Sequence, residues 1–270
     1  MEVKGEVILV NKTPNRDLRK KILELVHKSG WGHIPSSFSI LEIINVLYTK
    51  ILKINFNNHN DPNRDYFILS KAHGCLALYV VLNKLGLIKD KTLNSFCEFE
   101  SKLGEHPDAN KIEFIEASCG SLGHGFPLAV GIAKGMKFKK KKNLIFCLIG
   151  DGEAQEGTIW ESAHLATNLH LDNLILFLDF NKSGMQLLPV ENFKQKWLSF
   201  GWDVFVIDGH NEDTIEKVLK KNINIKNGKP KIFIANTIKG KGVKMIEGHG
   251  IWHHKIPNKL ELEKISKELD

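Results

Sequence analysis

Two short apolar segments, residues 143–149 and 174–180, are followed closely by Asp151 and Asn181 respectively. Such segments are typical of buried strands, and the carboxyl ends of parallel strands meet at the sheet edge where ligands bind. Carboxylate and amide oxygens are the ligands that Mg²⁺ prefers, and they leave coordination positions for phosphate oxygens. Gly150 and Gly152 let the backbone approach a bulky anion closely. The pattern therefore predicts a site for Mg²⁺ and a diphosphate.

Strand candidates alternate with helix candidates along the whole 270-residue chain. This alternation predicts an α/β fold, a doubly wound parallel sheet flanked by helices. No internal repeat or domain boundary interrupts the pattern, so we expect one domain over residues 1–270, with residues 1–15 as an amino-terminal strap outside the sheet. The strands are expected at 66–69, 143–149, 174–180, 202–207 and 231–238.

Polar residues followed three positions later by a glutamate predict three helix starts of the capping-box type. These pairs are Ser39 with Glu42, Thr158 with Glu161, and Asn258 with Glu261. Gly30 predicts the end of a helix over residues 16–29, and a further helix is expected near residues 91–100.

The composition argues against a membrane protein and gives little support for nucleic-acid binding. No apolar run approaches the roughly 20 residues that cross a bilayer, and the first residues form no signal-peptide pattern. The four cysteines include no C-x-x-C pair, as in reduced cytosolic proteins, so we expect a cytoplasmic location. The net charge is +7, but its one dense run, Lys139 to Lys142, lacks interleaved aromatic residues and is interpreted as a solvated loop.

The glycine-rich stretch 120–125 has the spacing G-x-x-G-x-G, and no G-K-[ST] follows it. Dinucleotide-binding folds use G-x-G-x-x-G, so Rossmann and P-loop enzymes are both disfavoured. The G-D-G at 150–152 is a weak signal alone, because tight turns use the same residues. With a strand candidate on each side and Asn181 about thirty positions later, it becomes the motif of thiamine-diphosphate enzymes.

Four histidine loops and one glycine-rich loop then match one family in order. On these segments the chain resembles the amino-terminal, diphosphate-binding part of transketolase along nearly its whole length. The segments are Gly32-His33 with Ser37-Phe38-Ser39, Arg64 to His73, Gly104-Glu105-His106-Pro107, Ser118 to Gly125, and Trp252-His253.

The resemblance implies thiamine diphosphate as the cofactor, together with a divalent metal. Asp151, Asn181 and the main-chain carbonyl of Ser183 would hold Mg²⁺, for which Ca²⁺ or Mn²⁺ can substitute. Gly152 would donate its backbone N–H to the diphosphate. The resemblance thus assigns to Asp151 and Asn181 the ligand role that their positions already predicted.

The resemblance also implies contacts with the rest of the cofactor. Gly120 and Leu122 would touch the aminopyrimidine, and Glu156 would join the carboxylate network that links paired active sites. His73 and His253 would reach the diphosphate and the reacting carbon. These residues lie in four separate loops, so the fold must bring them together.

Four histidines, His33, His73, His106 and His253, would line the substrate channel. The resemblance implies that His106 hydrogen-bonds the donor hydroxyl, while His33 and His253 handle protons and the acceptor. Imidazole suits such work because its ordinary pKa lies near neutral pH. The expected reaction is the transfer of a two-carbon ketol unit from a ketose phosphate to an aldose phosphate, as in the pentose phosphate reactions.

Four positions depart from the family pattern. Pro35 and Ser36 stand where glycines are usual, His124 replaces a usual glutamine, and His254 replaces a usual glycine. Proline stiffens the first loop, which changes the entrance for the acceptor. These changes leave the predicted diphosphate site intact and affect the choice of substrate.

In full-length transketolases, a second domain supplies the glutamate that protonates the aminopyrimidine and the aromatic pocket around that ring. This chain resembles only the first, diphosphate-binding part of those enzymes. The resemblance therefore implies that it is the amino-terminal half of a split enzyme. Its partner would be a separate carboxyl-terminal transketolase subunit that carries the pyrimidine-binding domain. A heterotetramer with two copies of each subunit is the family expectation.

Three alternatives remain open. The chain could belong to another thiamine-diphosphate carboligase, such as a deoxyxylulose-phosphate-synthase-like enzyme, or to a 2-oxo acid dehydrogenase component. It could be a transketolase-like enzyme for a specialised sugar, as in glycan precursor synthesis. From a different class, it could be a non-catalytic basic adaptor that uses Lys139 to Lys142.

Overall fold

The computed structural model of the chain describes residues 15–190 and 192–270. Its strands form one sheet in which all neighbours are parallel, in the order β1-β2-β3-β5-β4. Residues 1–14 of the predicted amino-terminal strap lie outside the described part of the chain. The strands are β1 Tyr66–Leu69, β2 Ile145–Gly150, β3 Leu174–Phe180, β4 Asp203–Asp208 and β5 Lys231–Asn236.

Helices cover both faces of this sheet. They are α1 Arg16–Ser29, α2 Ile34–Phe38, α3 Leu41–Val46, α4 Cys75–Lys84, α5 Asp90–Asn94, α6 Gly125–Phe138, α7 Gly157–Asn168, α8 Phe193–Ser199, α9 Glu212–Asn222 and α10 Lys259–Leu269. The chain continues from α3 into a π-helical turn, Leu47–Ile51. The apolar side chains of α1, α3, α4, α9 and α10 form a core on one face, and those of α6, α7 and α8 form a core on the other.

The central strands are apolar on both sides because both of their faces are buried. Successive residues of β2 point to opposite faces. Phe146 and Leu148 therefore enter the first core, while Cys147 and Ile149 enter the second. The predicted doubly wound parallel sheet flanked by helices is confirmed.

Two of the three predicted capping boxes are wrong. The pair Asn258 and Glu261 begins α10 as expected, with both reciprocal hydrogen bonds present. At α3, however, the Ser39 hydroxyl donates to the Asp179 carboxylate, 2.7 Å away, and caps nothing. At α7, Thr158 donates to the main-chain carbonyl of Gly123 at 2.8 Å. In both cases a tertiary partner outcompetes the local helix end.

Residues with positive φ values mark where two of the helical segments end. Gly30 ends α1 in the left-handed conformation, φ 73°, and donates its N–H to the carbonyl of Val26. The helix expected near residues 91–100 is shorter, because Cys97 and Glu100 both have positive φ values and cannot continue it. Helix α8 was not predicted; its Trp197 is fully buried in the second core.

All four cysteines are unpaired thiols. Burial raises the pKa of each one, most strongly for Cys75 and Cys147, so the thiol form is stabilised over the reactive thiolate. Among the described residues, no helix combines the length and apolar character that crossing a bilayer requires.

Candidate active site

The carboxyl ends of β2, β3 and β5 lie side by side at one edge of the sheet. Gly150 pairs with Asp179, and Phe180 pairs with Asn236, so the loops that follow these strands leave the sheet at the same level. Asp151 and Asn181 are the first residues beyond β2 and β3. The predicted convergence of these two residues is present in the fold.

Asp151 has one satisfied and one unsatisfied carboxylate oxygen. Its Oδ1 accepts hydrogen bonds from the N–H groups of Gly152, at 2.8 Å, and Gly184, at 3.1 Å. Its Oδ2 is buried and has no hydrogen-bond partner. Burial raises the pKa of Asp151, which reflects the cost of keeping this charge away from water. A buried carboxylate oxygen with no donor is the group that a bound cation would satisfy.

Asn181 and Ser183 lie in the loop opposite Asp151. The Asn181 amide donates to Asp179 Oδ2 at 2.8 Å, and its Oδ1 accepts from the Ser183 N–H at 2.9 Å. The Ser183 carbonyl accepts one N–H, from Gln186 at 3.3 Å, so one of its two lone pairs stays available. Together with Asp151 Oδ2, these are hard oxygen donors of the kind that fits Mg²⁺.

The loops after β2 and β3 touch through backbone. A Cβ atom on Gly184 would lie 2.6 Å from the amide nitrogen of Gly152 and 2.7 Å from its Cα, so only glycine allows this approach. The contact places Gly152, an exposed residue, next to the loop that carries Ser183. The close approach thereby sets the spacing between the two halves of the predicted diphosphate site.

Asp179, which the sequence interpretation did not single out, joins the segments that surround the site. Its fully buried carboxylate accepts from Lys71, at 2.5 Å, from Ser39 and Asn181, and from the Thr237 hydroxyl. Burial alone would raise the pKa of Asp179, but the Lys71 charge and these hydrogen bonds hold it below its ordinary value. Asp179 therefore fixes the first loop, the end of β1 and the end of β5 to the Asn181 loop.

Three of the four predicted channel histidines form one cluster above this network. The ring centroid of His33 lies 5.4 Å from that of His73 and 5.5 Å from that of His253, and those of His73 and His253 are 6.3 Å apart. Burial, reinforced by neighbouring histidine and lysine side chains, lowers the pKa of all three, to about 3 for His33. Their imidazoles are therefore neutral at pH 7 and carry a lone pair that can accept a proton.

His106, the fourth predicted histidine, is exposed beside the glycine-rich loop. A Cβ atom on Gly120 would lie 3.9 Å from the ring of His106. The structure therefore brings all four loops to one side of the sheet edge. Gly120 is exposed and Leu122 is half-buried at this place.

Glu153, a second residue that sequence reasoning missed, holds the glycine-rich loop against the G-D-G turn. Its buried carboxylate accepts from the Ser70 hydroxyl at 2.5 Å and from the N–H groups of Gly123, at 3.0 Å, and Gly150, at 3.2 Å. Burial raises its pKa. Gly123 has φ 81°, and a Cβ there would lie 2.8 Å from the Cβ of Glu156. Glu156 itself is exposed.

Lys239 was also missed, although it belongs to the same site. Its Nζ lies 2.8 Å from Ser183 Oγ and 2.6 Å from His253 Nδ1. Burial, followed by the Lys71 charge, lowers its pKa to about 8. The signal that would have identified it is its position three residues beyond the end of β5, at the ligand-binding edge.

Comparison with known proteins agrees with this arrangement. The family model for the thiamine diphosphate binding domain of transketolase matches residues 11–268. The chain belongs to the transketolase family. Its transketolase fold and its thiamine diphosphate-binding domain, both expected from the sequence, are therefore confirmed.

Two transketolase relatives have nearly the same length as this chain. The 6-deoxy-6-sulfo-D-fructose transketolase subunit SqwG of Clostridium sp. strain MSTE9 is 40% identical over 236 residues, which cover 86% of each chain. An apulose-4-phosphate transketolase subunit of Phocaeicola vulgatus is 35% identical over 258 residues, covering 93% of this chain and 90% of that relative. The resemblance to amino-terminal subunits of split transketolases is thus confirmed.

A solved transketolase shares the fold. The transketolase of Campylobacter jejuni superposes with a TM-score of 0.84 at 29% sequence identity, over 93% of this chain and 41% of the solved chain. This chain thus spans less than half of that transketolase. The family is a family of transferases, so the chain is assigned to an enzyme.

His254, which stands where transketolases usually have glycine, contacts the histidine cluster. Its ring centroid is 4.6 Å from that of His33. Its Nε2 lies 3.2 Å from Glu105 Oε1, and the same carboxylate oxygen lies 3.2 Å from His33 Nδ1. The departure from the family pattern therefore falls inside the site and adds an imidazole to its mouth.

Proposed function

We propose that the chain binds thiamine diphosphate with Mg²⁺ and forms part of an enzyme that transfers a two-carbon ketol unit from a ketose phosphate to an aldose phosphate. The observation that carries this proposal is the buried, unsatisfied Oδ2 of Asp151, whose other carboxylate oxygen accepts from Gly184 in the loop that carries Ser183. When bound, thiamine diphosphate supplies the carbanion chemistry and the electron sink. The protein holds the cofactor and moves protons.

Asp151, Asn181 and the Ser183 carbonyl are the proposed ligands of Mg²⁺, and Ca²⁺ or Mn²⁺ would suit the same oxygen donors. The Gly152 N–H and the Lys239 ammonium are the proposed diphosphate contacts. Lys239 contacts Ser183 and His253, so its charge lies between the histidines and the loop that carries the proposed metal ligands Asn181 and Ser183. This position supports a role in neutralising the diphosphate charge.

The histidines are the proposed proton-transfer groups. The ring centroids of His33, His73 and His253 lie within 6.3 Å of one another. Their lowered pKa values keep the three imidazoles unprotonated near neutral pH. A neutral imidazole can take a proton from a sugar hydroxyl and return it. His106, at the edge of the cluster, is proposed to hydrogen-bond the donor hydroxyl. Gly120 and Leu122 are proposed to contact the aminopyrimidine.

A specialised sugar is favoured as the substrate. His254 adds a hydrogen-bonding group beside His33. The relatives of similar length are named for 6-deoxy-6-sulfo-D-fructose and for apulose-4-phosphate, which are both unusual sugar derivatives with an anionic group. We therefore propose a sugar phosphate or a related anionic sugar, handled in the cytoplasm by a heterotetramer with a separate carboxyl-terminal subunit. One domain over 1–270, and an interface role for Glu156, are parts of the same proposal.

Binding of the cofactor is tested by thermal unfolding of the purified chain with and without thiamine diphosphate and Mg²⁺. A ligand at a hundredfold excess over its Kd stabilises the native state by about 2.7 kcal/mol, which raises Tm by several degrees. Asp151→Ala should abolish this rise, because it removes the proposed metal ligand. The matched control is Asp208→Ala, an exposed aspartate at the end of β4, which should keep it.

A rise that is equal in wild type and Asp151→Ala would refute the proposed metal site. Substrate class is tested separately, by assaying the chain reconstituted with its partner on a ketose phosphate and on pyruvate. Turnover of the ketose phosphate supports ketol transfer. Turnover of pyruvate alone would instead identify another thiamine-diphosphate carboligase.

A further inference from the structure

His33, Glu105 and His254 form a compact triad at the mouth of the site. The potential ligand atoms of the three side chains all lie within 4.8 Å of one another. We propose that this triad is a second metal site, which binds a divalent transition-metal cation of the Zn²⁺ class. This site uses none of the Mg²⁺ ligands proposed above, but it shares His33 with the proposed proton-transfer groups.

The distances in the triad match those of a tetrahedral zinc site. Bonds of about 2.0–2.1 Å from Zn²⁺ to nitrogen and oxygen place neighbouring tetrahedral ligands roughly 3.3 Å apart. Glu105 Oε1 lies 3.2 Å from His33 Nδ1 and 3.2 Å from His254 Nε2. Two of the three ligand pairs already have the required separation.

An unsatisfied ring nitrogen gives independent support. His33 Nδ1 is buried and has no hydrogen-bond partner, although Glu105 is near, because the two groups are not aligned for a hydrogen bond. A cation between the three side chains would satisfy this nitrogen. Glu105 is mostly buried and His254 is half-exposed, so the cation can enter from solvent on the His254 side.

The chemistry of the ligands selects the cation. Two imidazoles and one carboxylate are a common zinc ligand set, whereas Mg²⁺ prefers oxygen ligands only. One carboxylate charge offsets part of the charge of the ion. Lys239, an ammonium in the same site, contacts Ser183 and His253 rather than the triad. Three protein ligands leave the fourth tetrahedral position for water or for an anionic oxygen of a small molecule.

The test uses the untagged full chain, stripped of metal with a chelator and titrated with Co²⁺ as a spectroscopic substitute for Zn²⁺. Tetrahedral Co²⁺ absorbs visible light far more strongly than octahedral Co²⁺, so binding at the Mg²⁺ ligands would not give the same spectrum. We expect one strongly absorbing Co²⁺ per chain, displaced by one equivalent of Zn²⁺, with excess Mg²⁺ present throughout.

His254→Gly and Glu105→Gln should each weaken Co²⁺ and Zn²⁺ binding at least about 10-fold, since even the loss of an outer partner of a ligand costs roughly that much. His249→Ala, on the same loop but outside the triad, is the matched control and should bind like wild type. A cofactor-induced rise in Tm shows that a variant is folded. Weak absorption by wild type, or equal affinity in wild type and His254→Gly, would mean a hydrogen-bonded triad only and would overturn the proposal.

Discussion

At the scale of single residues, Lys239 connects the metal loop with the histidine cluster. Its ammonium group lies between Ser183 Oγ and His253 Nδ1, and it is mostly buried. Removing an ammonium from water is unfavourable, and this cost appears as the lowered pKa, about 8. The negative charge of a diphosphate beside Lys239 would offset the desolvation of its ammonium group. We therefore expect Lys239 to bind an anionic ligand.

Lys239→Ala is expected to weaken thiamine diphosphate binding by about 10- to 100-fold, because a hydrogen bond to a charged group contributes roughly 1.5–3 kcal/mol. Isothermal titration at saturating Mg²⁺ measures the change. Lys241→Ala is the matched control, since Lys241 bonds through its main chain: its carbonyl accepts from Arg19 and its N–H donates to the Ile238 carbonyl. Equal losses in the two variants would mean that the general positive charge, not the position of Lys239, matters.

At the scale of elements, a buried ionic cluster joins α1, α3 and the loop after β4. Arg19 of α1 binds Glu42 of α3 through two nitrogens, at 2.7 and 3.1 Å, and both side chains are fully buried. His210 Nε2 accepts the Ile238 N–H, so its Nδ1 carries the proton and donates to Glu42 at 2.9 Å. The cluster holds the helices of the first face against the segment that leads to Lys239.

Glu42→Gln is expected to destabilise the protein by about 3–5 kcal/mol at pH 7, because it removes the carboxylate charge that pairs with the fully buried guanidinium of Arg19. Burial opposes ionisation, but His210 and Arg19 outweigh it and lower the pKa of Glu42 below its ordinary 4.5. A lowered pKa stabilises the native state above pH 4.5, and this stability is lost as the pH falls through the lower native value. The difference between the variant and wild type should therefore shrink below pH 4.5, as measured by denaturant unfolding.

Glu216→Gln serves as the comparison for this experiment. Glu216 pairs with Lys220 on the exposed side of α9, where solvent screens the pair, so little change is expected at any pH. A difference for Glu42→Gln that stays constant from pH 7 down to well below pH 4.5 would contradict the proposed ionic contribution.

Elements were predictable where the deciding partners are close in sequence. Asn258 and Glu261 cap α10 with each other, so their spacing alone predicted the start of that helix. Ser39 and Glu42 have the same spacing, but Asp179 and Arg19 bind them instead, and neither partner is visible in a local pattern. The helix start at Ser39 was thus predicted wrongly because its polar side chains bind partners that are distant in sequence.

The site was predictable only in part for the same reason. Asp151 and Asn181 follow strands directly and could be placed from the strand pattern. Asp179, Glu153 and Lys239 act through contacts across the sheet edge, and a single buried aspartate, glutamate or lysine has no distinctive sequence signature. Their roles depend on which strands are neighbours, and the order β1-β2-β3-β5-β4 is not evident from the chain order.

At the scale of the whole molecule, we propose that the site is one side of an interface with a partner subunit. The exposed residues Gly120, Gly152 and Glu156 surround the sheet edge, and the relatives of similar length are named as subunits. We expect the purified chain alone to show little ketol transfer, because the groups that surround the aminopyrimidine are proposed to come from a partner. Adding the partner subunit should restore turnover, with saturation at one partner per chain.

Glu156→Ala, measured in the same titration, should weaken assembly with little effect on the Tm of the isolated chain, because Glu156 is exposed there. Full turnover by the isolated chain would disprove the need for a partner. Analytical ultracentrifugation of the mixture distinguishes the proposed heterotetramer from a simple pair.

The parallel sheet has a consequence for how the protein is made. Parallel neighbours need long crossover connections, so the pairing of β3 with β5 must wait until α8, β4 and α9 have been synthesised. High contact order of this kind slows folding. At roughly 5–20 residues per second on the ribosome, the segment with Asp151 emerges well before the one with Lys239 and His253. We therefore expect a newly made chain to bind the cofactor only after the carboxyl-terminal part of its sheet has folded.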